Sequence, residues 1–309
     1  MLLKHKKNLT IIWNEYSFRK ITDMKKNVLI TGTSTGVGLE SAMLFAKNNY
    51  KVYATMRNLK KSEKLKQKIQ EENLDINLLP LDVTKIDSIQ SAVKTIIERD
   101  GKIDVLVNNA GAGFAKTTEQ ATEAEIKWVT DVNYLGVVFC TQAVLPYMRK
   151  QKSGQIISVT SVGGLVGQPF NELYCGAKFA VEGFMEGLAT YVSEPFNIKI
   201  TCVEPGGITT EFMTSAIEKT AVDGQFATGE YAPIFEKYMA GNQKRANESE
   251  VQVYQTAIEV ANVALNIAQN ENPPLRIRTS QWAEDFCQLK TKADPDGLKL
   301  VKQIQDSFL

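Results

Sequence analysis

Residues 28–40 read VLITGTSTGVGLE, and this stretch decides the fold of the chain. The short apolar run at its start is typical of a buried parallel strand, and an apolar-periodic helix follows the glycines. A glycine turn between a strand and a helix aims backbone N–H groups at a phosphate. The sequence therefore predicts a phosphate-binding turn in which Gly32, Gly36 and Gly38 let the backbone approach the ligand.

Outward from this turn, apolar segments alternate with helical patterns, which predicts a doubly wound α/β fold with helices on both faces of a mostly parallel sheet. We expect seven strands, near residues 27–31, 51–55, 76–80, 103–107, 155–160, 198–203 and 274–278. Helices are expected near residues 37–48, 60–72, 86–99, 123–149, 173–193, 249–269 and 281–291. The length and composition suit a single domain, placed at residues 24–309.

A long segment after the sixth predicted strand, residues 206–248, shows no clear periodicity and contains five glycines. It begins at the carboxyl edge of the sheet, where ligands of such folds bind. Loops of this length in compact domains are usually functional or disordered, so we predict a substrate loop here. An ordinary excursion of the chain is the alternative.

A tyrosine and a lysine stand four residues apart in LYCGAKFAVEGF, residues 173–184. On a helix, Tyr174 and Lys178 would share one face, about 6 Å apart along the axis. A lysine cation near a phenol favours the phenolate, so Lys178 is expected to lower the pKa of Tyr174 toward working pH. The pair therefore predicts a tyrosine that can exchange a proton with a substrate.

Further motifs follow the glycine turn in a fixed order: Asp82-Val83, Asn108-Asn109-Ala110-Gly111, Asn133, Ser161, Tyr174, Lys178 and Pro205-Gly206-x-Ile208-x-Thr210. With these motifs the chain resembles the single-domain branch of the short-chain dehydrogenase/reductase family, over roughly residues 25 to 280. The stretch YATMR at residues 53–57 resembles 17β-hydroxysteroid and retinol dehydrogenase-like members. The resemblance implies a Rossmann-like, NAD(P)-binding catalytic domain.

The resemblance also implies an oxidoreductase that interconverts a carbonyl and a primary or secondary alcohol. Tyr174 would act as general acid and base on the substrate oxygen while the nicotinamide exchanges a hydride with its carbon. Lys178 would tune Tyr174 and bind the nicotinamide ribose. Ser161 would hold the substrate oxygen, and Asn133 would position a water that leads to Lys178.

The cofactor contacts that the resemblance implies are Gly32, Ser34, Thr35, Gly36, Val37, Gly38, Arg57, Asp82, Val83, Asn109, Ala110, Gly111, Tyr174, Lys178, Pro205, Gly206, Ile208 and Thr210. Asn108 is expected to form a bond across the sheet instead. NADP(H) is predicted in preference to NAD(H), because Met56 replaces the carboxylate of NAD-preferring relatives and Arg57 offers a guanidinium to a 2′-phosphate. NAD(H) stays possible, since Thr35 stands where many NADP-binding members carry Arg or Lys.

The substrate class is indicated only by the apolar residues around the predicted site, which are Phe114, Leu165, Val166, Phe170, Leu173, Phe212 and Met213. They favour a hydrophobic substrate, although the core of any such fold has a similar composition. A 3-oxoacyl-carrier reductase is the first alternative, and it would need a basic surface for its carrier. A non-catalytic dinucleotide-binding regulator is the second, against which the complete set of Asn133, Ser161, Tyr174 and Lys178 argues.

The composition restricts the other classes of function. The single histidine, His5, excludes a Ser-His-Asp triad and a histidine-rich metal site in the folded body, and no metal is predicted. The formal net charge of +1 argues against a nucleic-acid partner, and no apolar run reaches the length of a membrane span. Four cysteines without metal or C-x-x-C spacing indicate a reducing compartment, here the cytoplasm.

Residues 1–23 differ from the rest of the chain, with five basic and two acidic side chains. We expect an extension outside the domain, either disordered or translated from an upstream start, because Met24 directly precedes the first strand. A short membrane-surface anchor is the alternative. The family resemblance implies a homodimer or homotetramer, paired through the helices predicted at residues 123–149 and 173–193.

Overall fold

The structure is a computed structural model, and it describes residues 25–209 and 228–308. The elements run in the order β1 (Lys26–Thr31), α1 (Gly36–Lys47), β2 (Tyr50–Met56), α2 (Glu63–Glu72), β3 (Ile76–Pro80), α3 (Ile86–Asp100), β4 (Val105–Asn108), α4 (Glu123–Thr130), a π-helical turn (Asp131–Leu135), α5 (Gly136–Gln151), β5 (Gly154–Val159), α6 (Glu172–Phe196), β6 (Ile198–Glu204), β7 (Gly207–Ile208), α7 (Ala232–Glu248), β8 (Tyr254–Gln255), α8 (Ala257–Gln269), β9 (Arg276–Arg278), α9 (Gln281–Thr291) and α10 (Leu298–Phe308). Three short 3₁₀ turns lie at Leu59–Lys61, Val162–Gly164 and Gly229–Tyr231.

Seven strands form one sheet in the order β3-β2-β1-β4-β5-β6-β9, and every neighbouring pair in it is parallel. Val28 of β1 pairs with Val52 of β2 on one side and with Val105 of β4 on the other. The strand order therefore reverses beside β1, and the predicted seven-stranded, doubly wound parallel sheet is confirmed. A separate two-stranded sheet of β7 and β8 was not predicted.

Alternate residues of the central strands point to opposite faces of the sheet, where they form part of two apolar layers. On one face, Leu29 and Leu106 pack with side chains of α3, α5 and α6. On the other face, Val28 and Ile30 pack with side chains of α1 and α8. Because both faces are covered, the strands read as continuous apolar runs, and their carboxyl ends remain as the open edge.

The predicted start of one helix was wrong near residue 250. The helix expected at residues 249–269 begins only at Ala257, because Thr256 and Glu259 form a capping box that fixes its start. The segment predicted as a substrate loop, residues 206–248, ends in the 17-residue helix α7, and its residues 210–227 lie outside the described part of the chain. Helix α10 was also missed, and the predicted helix at 123–149 contains a π-helical turn.

Some predictions fall on residues outside the described part of the chain. Residues 1–23 lie there, as do Thr210, Phe212 and Met213 of the predicted site. Within the described ranges, no helix is long and apolar enough to cross a membrane. The four cysteines are buried free thiols, as their spacing suggested.

Candidate active site

The parallel sheet gathers the predicted site residues along one edge. Gly32 follows β1, Arg57 follows β2, and Asp82 lies just beyond β3. Ser161 follows β5 and Pro205 follows β6. Because parallel strands end at the same edge, residues far apart in sequence meet there, at the crevice where the strand order reverses. The predicted residues that the structure describes therefore lie along one edge of the sheet.

The glycine turn has the backbone geometry that its sequence indicates. Gly32 and Gly36 have φ angles of 72° and 57°, in the left-handed region that favours glycine. A Cβ atom on Gly38 would lie 2.3 Å from the Gly32 carbonyl oxygen and 2.3 Å from Asn109 Nδ2. The turn can therefore close against the start of α1 only if residue 38 has no side chain.

Asn109 holds this turn in place with its side chain. Its Nδ2 donates to the carbonyl oxygens of Thr31 at 2.9 Å and Gly32 at 3.0 Å. The Thr31 hydroxyl accepts the backbone N–H groups of Asn109 and Ala110, both at 3.0 Å. The side chain of Asn109, predicted as a cofactor contact, thus shapes the turn, while Asn108 donates to Thr141 and Ser158 inside the sheet as expected.

Tyr174 and Lys178 lie in the first turns of α6, beside the Ser161 turn. The Nζ atom of Lys178 is 5.7 Å from the centre of the Tyr174 ring and donates to the Val159 carbonyl oxygen at 3.0 Å. Ser161 Oγ accepts the Gly163 N–H at 2.9 Å, and the Ser161 side chain forms a hydrogen bond with Tyr174. The structure therefore brings together the hydroxyl, the phenol and the ammonium that the spacing predicted.

The ionisation of this pair differs from the sequence-based expectation. Burial raises the pKa of Tyr174 above its ordinary value, and only the hydrogen bond with Ser161 opposes this change. Burial lowers the pKa of Lys178 to about 8, against the opposing charge of Glu182. The predicted lowering of the Tyr174 pKa by Lys178 is therefore not seen in the protein alone, because both groups are shielded from water.

Asn133 lies fully buried in the π-helical turn and bonds to backbone. Its Oδ1 accepts the Ala112 N–H at 3.0 Å, and its Nδ2 donates to the carbonyl oxygens of Ala112 at 2.9 Å and Val129 at 3.0 Å. A Cβ atom on Gly111 would lie 3.1 Å from Asn133 Oδ1 and 3.7 Å from Lys178 Nζ. The amide of Asn133 thus holds the chain at Ala112, next to Gly111 and close to the lysine.

The outer part of the crevice contains both exposed and buried predicted contacts. Arg57 is exposed, whereas the neighbouring Met56 is buried in the core. Asp82 Oδ1 accepts the N–H of Thr84 at 3.0 Å and its hydroxyl at 2.8 Å. Val83 is buried and packs so closely on Gly136 that a Cβ there would lie 2.8 Å away. Asp82 and Val83 therefore also stabilise the loop that leads into α3.

The remaining predicted contacts lie in the glycine turn and in the segment after β6, where Gly206 meets Trp282, a residue that was not predicted at the site. Ser34 is half-buried and Thr35 exposed in the glycine turn, and Ile208 lies in β7. At the other end, a Cβ on Gly206 would be 2.9 Å from the Trp282 ring. Gly206 therefore allows the chain after β6 to run directly over α9, a contact between distant elements that no local pattern indicates.

An aromatic cluster of three rings was also missed. The Phe170 ring lies 5.0 Å from that of Phe235 and 5.5 Å from that of Tyr238, measured between ring centres. Phe170 has a φ of 61°, which is uncommon for a bulky residue. Gln120 Nε2 also donates to Thr228 Oγ1 at 2.9 Å. The i, i+3 spacing of the two rings in α7 was the only sequence signal for this contact.

Comparisons with known proteins agree with this geometry. The family model described as short chain dehydrogenase matches residues 26–221. Retinol dehydrogenase 8 of Bos taurus is 37% identical over 294 residues, 91% of this chain and 90% of that protein. The 17-beta-hydroxysteroid dehydrogenase type 1 of Homo sapiens is 34% identical over 280 residues, 89% of this chain and 83% of that protein. The solved structure of ElxO with NADP bound has a TM-score of 0.67 and 29% identity, and covers 83% of this chain and 98% of that one.

Proposed function

The chain belongs to the short-chain dehydrogenase family, and on that premise we propose that it interconverts a hydrophobic carbonyl compound and its alcohol with NADP(H). The observation that supports this most directly is the convergence of Ser161, Tyr174 and Lys178 at the sheet edge that carries the glycine turn. The Ser161 hydroxyl can hold a substrate oxygen by a hydrogen bond, and the Tyr174 phenol can protonate it. The Lys178 ammonium can stabilise the negative charge that then remains on the phenol.

Each of these side chains has a distinct part in the proposed reaction. Ser161 donates a hydrogen bond to the substrate oxygen, and Tyr174 transfers a proton to it or removes one from it. Lys178 stabilises the phenolate and binds the nicotinamide ribose, while Asn133 keeps the chain at Gly111 in place beside it. Acid–base assistance of this kind typically contributes about 10²–10⁴ in rate. The cofactor, when bound, supplies or accepts the hydride.

The residues of the crevice fit a dinucleotide. Because residue 38 has no side chain, the turn closes tightly at the start of α1. Backbone N–H groups at such a helix start can bind a phosphate. A preference for NADP(H) over NAD(H) is supported by Arg57, which is exposed and has no ion-pair partner among residues 25–209 and 228–308. A free guanidinium there can bind a 2′-phosphate with two hydrogen bonds.

A hydrophobic substrate is supported by the side chains around the catalytic group. Phe114, Leu165 and Phe170 are each at most 8% exposed and lie in the segments that border Ser161 and Tyr174. Helix α7 adds the rings of Phe235 and Tyr238 on the outside of Phe170. Such a wall suits the apolar alcohols for which related dehydrogenases are named, and the corresponding carbonyl compounds. A cytoplasmic location is proposed with it, since all four thiols are free.

The proposed function is tested by following the transferred hydride with a deuterium label. The full chain would be incubated with NADPH that carries deuterium on the nicotinamide, and with retinal, ketosteroids, aliphatic ketones and an acetoacetyl thioester. We expect deuterium on the former carbonyl carbon of an apolar product. Transfer only to the thioester would favour the 3-oxoacyl reductase, and cofactor binding without transfer to any compound would favour the non-catalytic regulator.

A further inference from the structure

Behind the catalytic lysine lies a buried group of charges that the proposed reaction does not use. Glu182 is one turn beyond Lys178 on α6, and Glu204 is the last residue of β6. Glu204 is fully buried, and Glu182 has one carboxyl oxygen shielded from solvent although the residue as a whole is partly exposed. The carboxyl groups of Glu182 and Glu204 are neighbours, and each acts on the pKa of the other.

Both arginines near these carboxyl groups also bind other acids. Arg278 Nε donates to Glu284 at 2.6 Å, and its Nη1 lies 3.3 Å from Glu204. Arg276 Nη2 donates to Glu186 at 2.7 Å. The titratable groups that face the pair are Lys178 and Glu186 from α6, Cys202 from β6, Arg276 and Arg278 from β9, and Glu284 and Cys287 from α9. Four carboxyl groups therefore compete for three cations.

The hydrogen bonds of the two carboxyl groups also leave a position at which one proton can bind. The Oε1 atoms of Glu182 and Glu204 are buried, and neither receives a hydrogen bond from a donor among the described residues. Two adjacent buried carboxylates repel each other and lose their hydration, so such a site keeps a proton on one of them. That proton would turn one carboxyl into a donor toward the other.

We propose that Glu182 and Glu204 share one proton at neutral pH, and that this pair positions the catalytic helix and holds one negative charge behind Lys178. The positioning role rests on the proposed function, whereas the shared proton does not. The pair joins α6, which carries Tyr174 and Lys178, to the end of β6. There the next residue, Pro205, accepts the N–H of Val162 at 2.9 Å, in the turn that begins with Ser161. Both residues are positioning residues, since neither touches the reacting atoms.

The shared proton can be tested without any activity. Burial and the neighbouring Glu182 raise the pKa of Glu204 to about 9. The folded pair therefore keeps a proton that the unfolded chain releases, and the free energy of unfolding falls as the pH rises from neutral toward about 9. In either Glu182→Gln or Glu204→Gln, this pH-dependent loss of unfolding free energy should disappear. The Tm of each variant relative to wild type should therefore rise as the pH increases.

An infrared spectrum gives the same test independently. The carbonyl band of a protonated buried carboxyl should be present at neutral pH in wild type and in the control Glu194→Gln, which replaces an exposed acid of the same helix, and absent from both pair variants. Parallel Tm curves in wild type and both pair variants, or an absent band in wild type, would overturn the shared proton. Since two different variants report on it, a folding defect in one leaves the test intact.

The positioning role predicts different effects from the two variants. Glu182→Gln leaves the negative charge on Glu204, whereas the acid that raises the pKa of Lys178 is Glu182, so the pH at which NADPH affinity declines should move below the Lys178 pKa of about 8. Glu204→Gln leaves the charge on Glu182, so that pH should stay or rise. Equal shifts in the two variants would overturn the role and leave the shared proton standing. Failure of hydride transfer would instead refute only the proposed function.

Discussion

At the scale of single residues, burial pushes both ionisable groups of the site toward their neutral forms. It raises the pKa of Tyr174 and lowers that of Lys178, while Ser161 and Glu182 act against these shifts. A neutral phenol at physiological pH is a proton donor, so the described state suits reduction of a carbonyl. The phenolate needed for the reverse reaction would require a charged lysine nearby, and the negative charge proposed behind Lys178 would favour that charged form.

Arg57 is the residue whose replacement should change cofactor choice. In Arg57→Gln, the KM for NADPH should rise by about ten- to a hundredfold, because charge-assisted hydrogen bonds to the 2′-phosphate are lost. The KM for NADH should stay nearly unchanged. Lys60→Gln, an exposed cation three residues on, serves as the control. Equal effects of Arg57→Gln on both cofactors would refute the assigned contact. Met56→Asp is a poorer test, since Met56 is 3% exposed and its replacement would bury a carboxylate.

The role of a single residue could be predicted where its partner is close in sequence, and not where its partner is far away in sequence. Tyr174 and Lys178 were found because a helix repeats its faces every three to four residues. Glu204 was not, because its neighbour Glu182 is 22 positions away and meets it only through the packing of α6 on β6. Asn133 was found by motif, but its bonds to Ala112 could not be read from the sequence.

At the scale of elements, the glycine turn is the most constrained part of the fold. In Gly38→Ala, the new Cβ would meet the Gly32 carbonyl oxygen at 2.3 Å, so either the turn or α1 must shift. We expect a loss of about 1–3 kcal/mol in unfolding free energy and a loss of cofactor binding. Gly187→Ala on α6 is the control, since its Cβ would have no neighbour within 4 Å. Chemical denaturation and calorimetry measure both effects, and wild-type cofactor affinity in Gly38→Ala would contradict the account.

Strands of the sheet could be predicted within a few residues, because buried parallel strands are continuous apolar runs. The ends of helices were less predictable. Helix α8 begins at Ala257 because a capping box at Thr256 and Glu259 outweighs the weak pattern before it. Helix α7 was missed because most of its residues are polar or exposed, and its clearest apolar contact is with Phe170 at the site. Its existence depends on tertiary packing, which a local pattern does not show.

At the scale of the whole molecule, we propose a homodimer or homotetramer. Family membership suggests it, and large apolar side chains are exposed on the two helices expected to pair, Tyr147 on α5 and Tyr191 on α6. Light scattering of the full chain at micromolar concentration should therefore give two or four times the chain mass of 34.4 kDa. Tyr191→Glu should lower that mass, whereas Glu172→Gln on the same helix should not. A wild-type mass of 34.4 kDa would contradict the proposal.

The proton transferred by Tyr174 is the central claim, and one substitution measures it. In Tyr174→Phe, the ring still packs beside Ser161 and Lys178, but no hydroxyl can protonate the substrate. We predict that NADPH-dependent turnover of an accepted carbonyl compound falls by at least about a hundredfold. NADPH binding should remain close to wild type, and Tyr191→Phe on the same helix should retain full activity. Turnover in Tyr174→Phe above about a tenth of the wild-type rate would contradict the assignment of Tyr174 as the general acid.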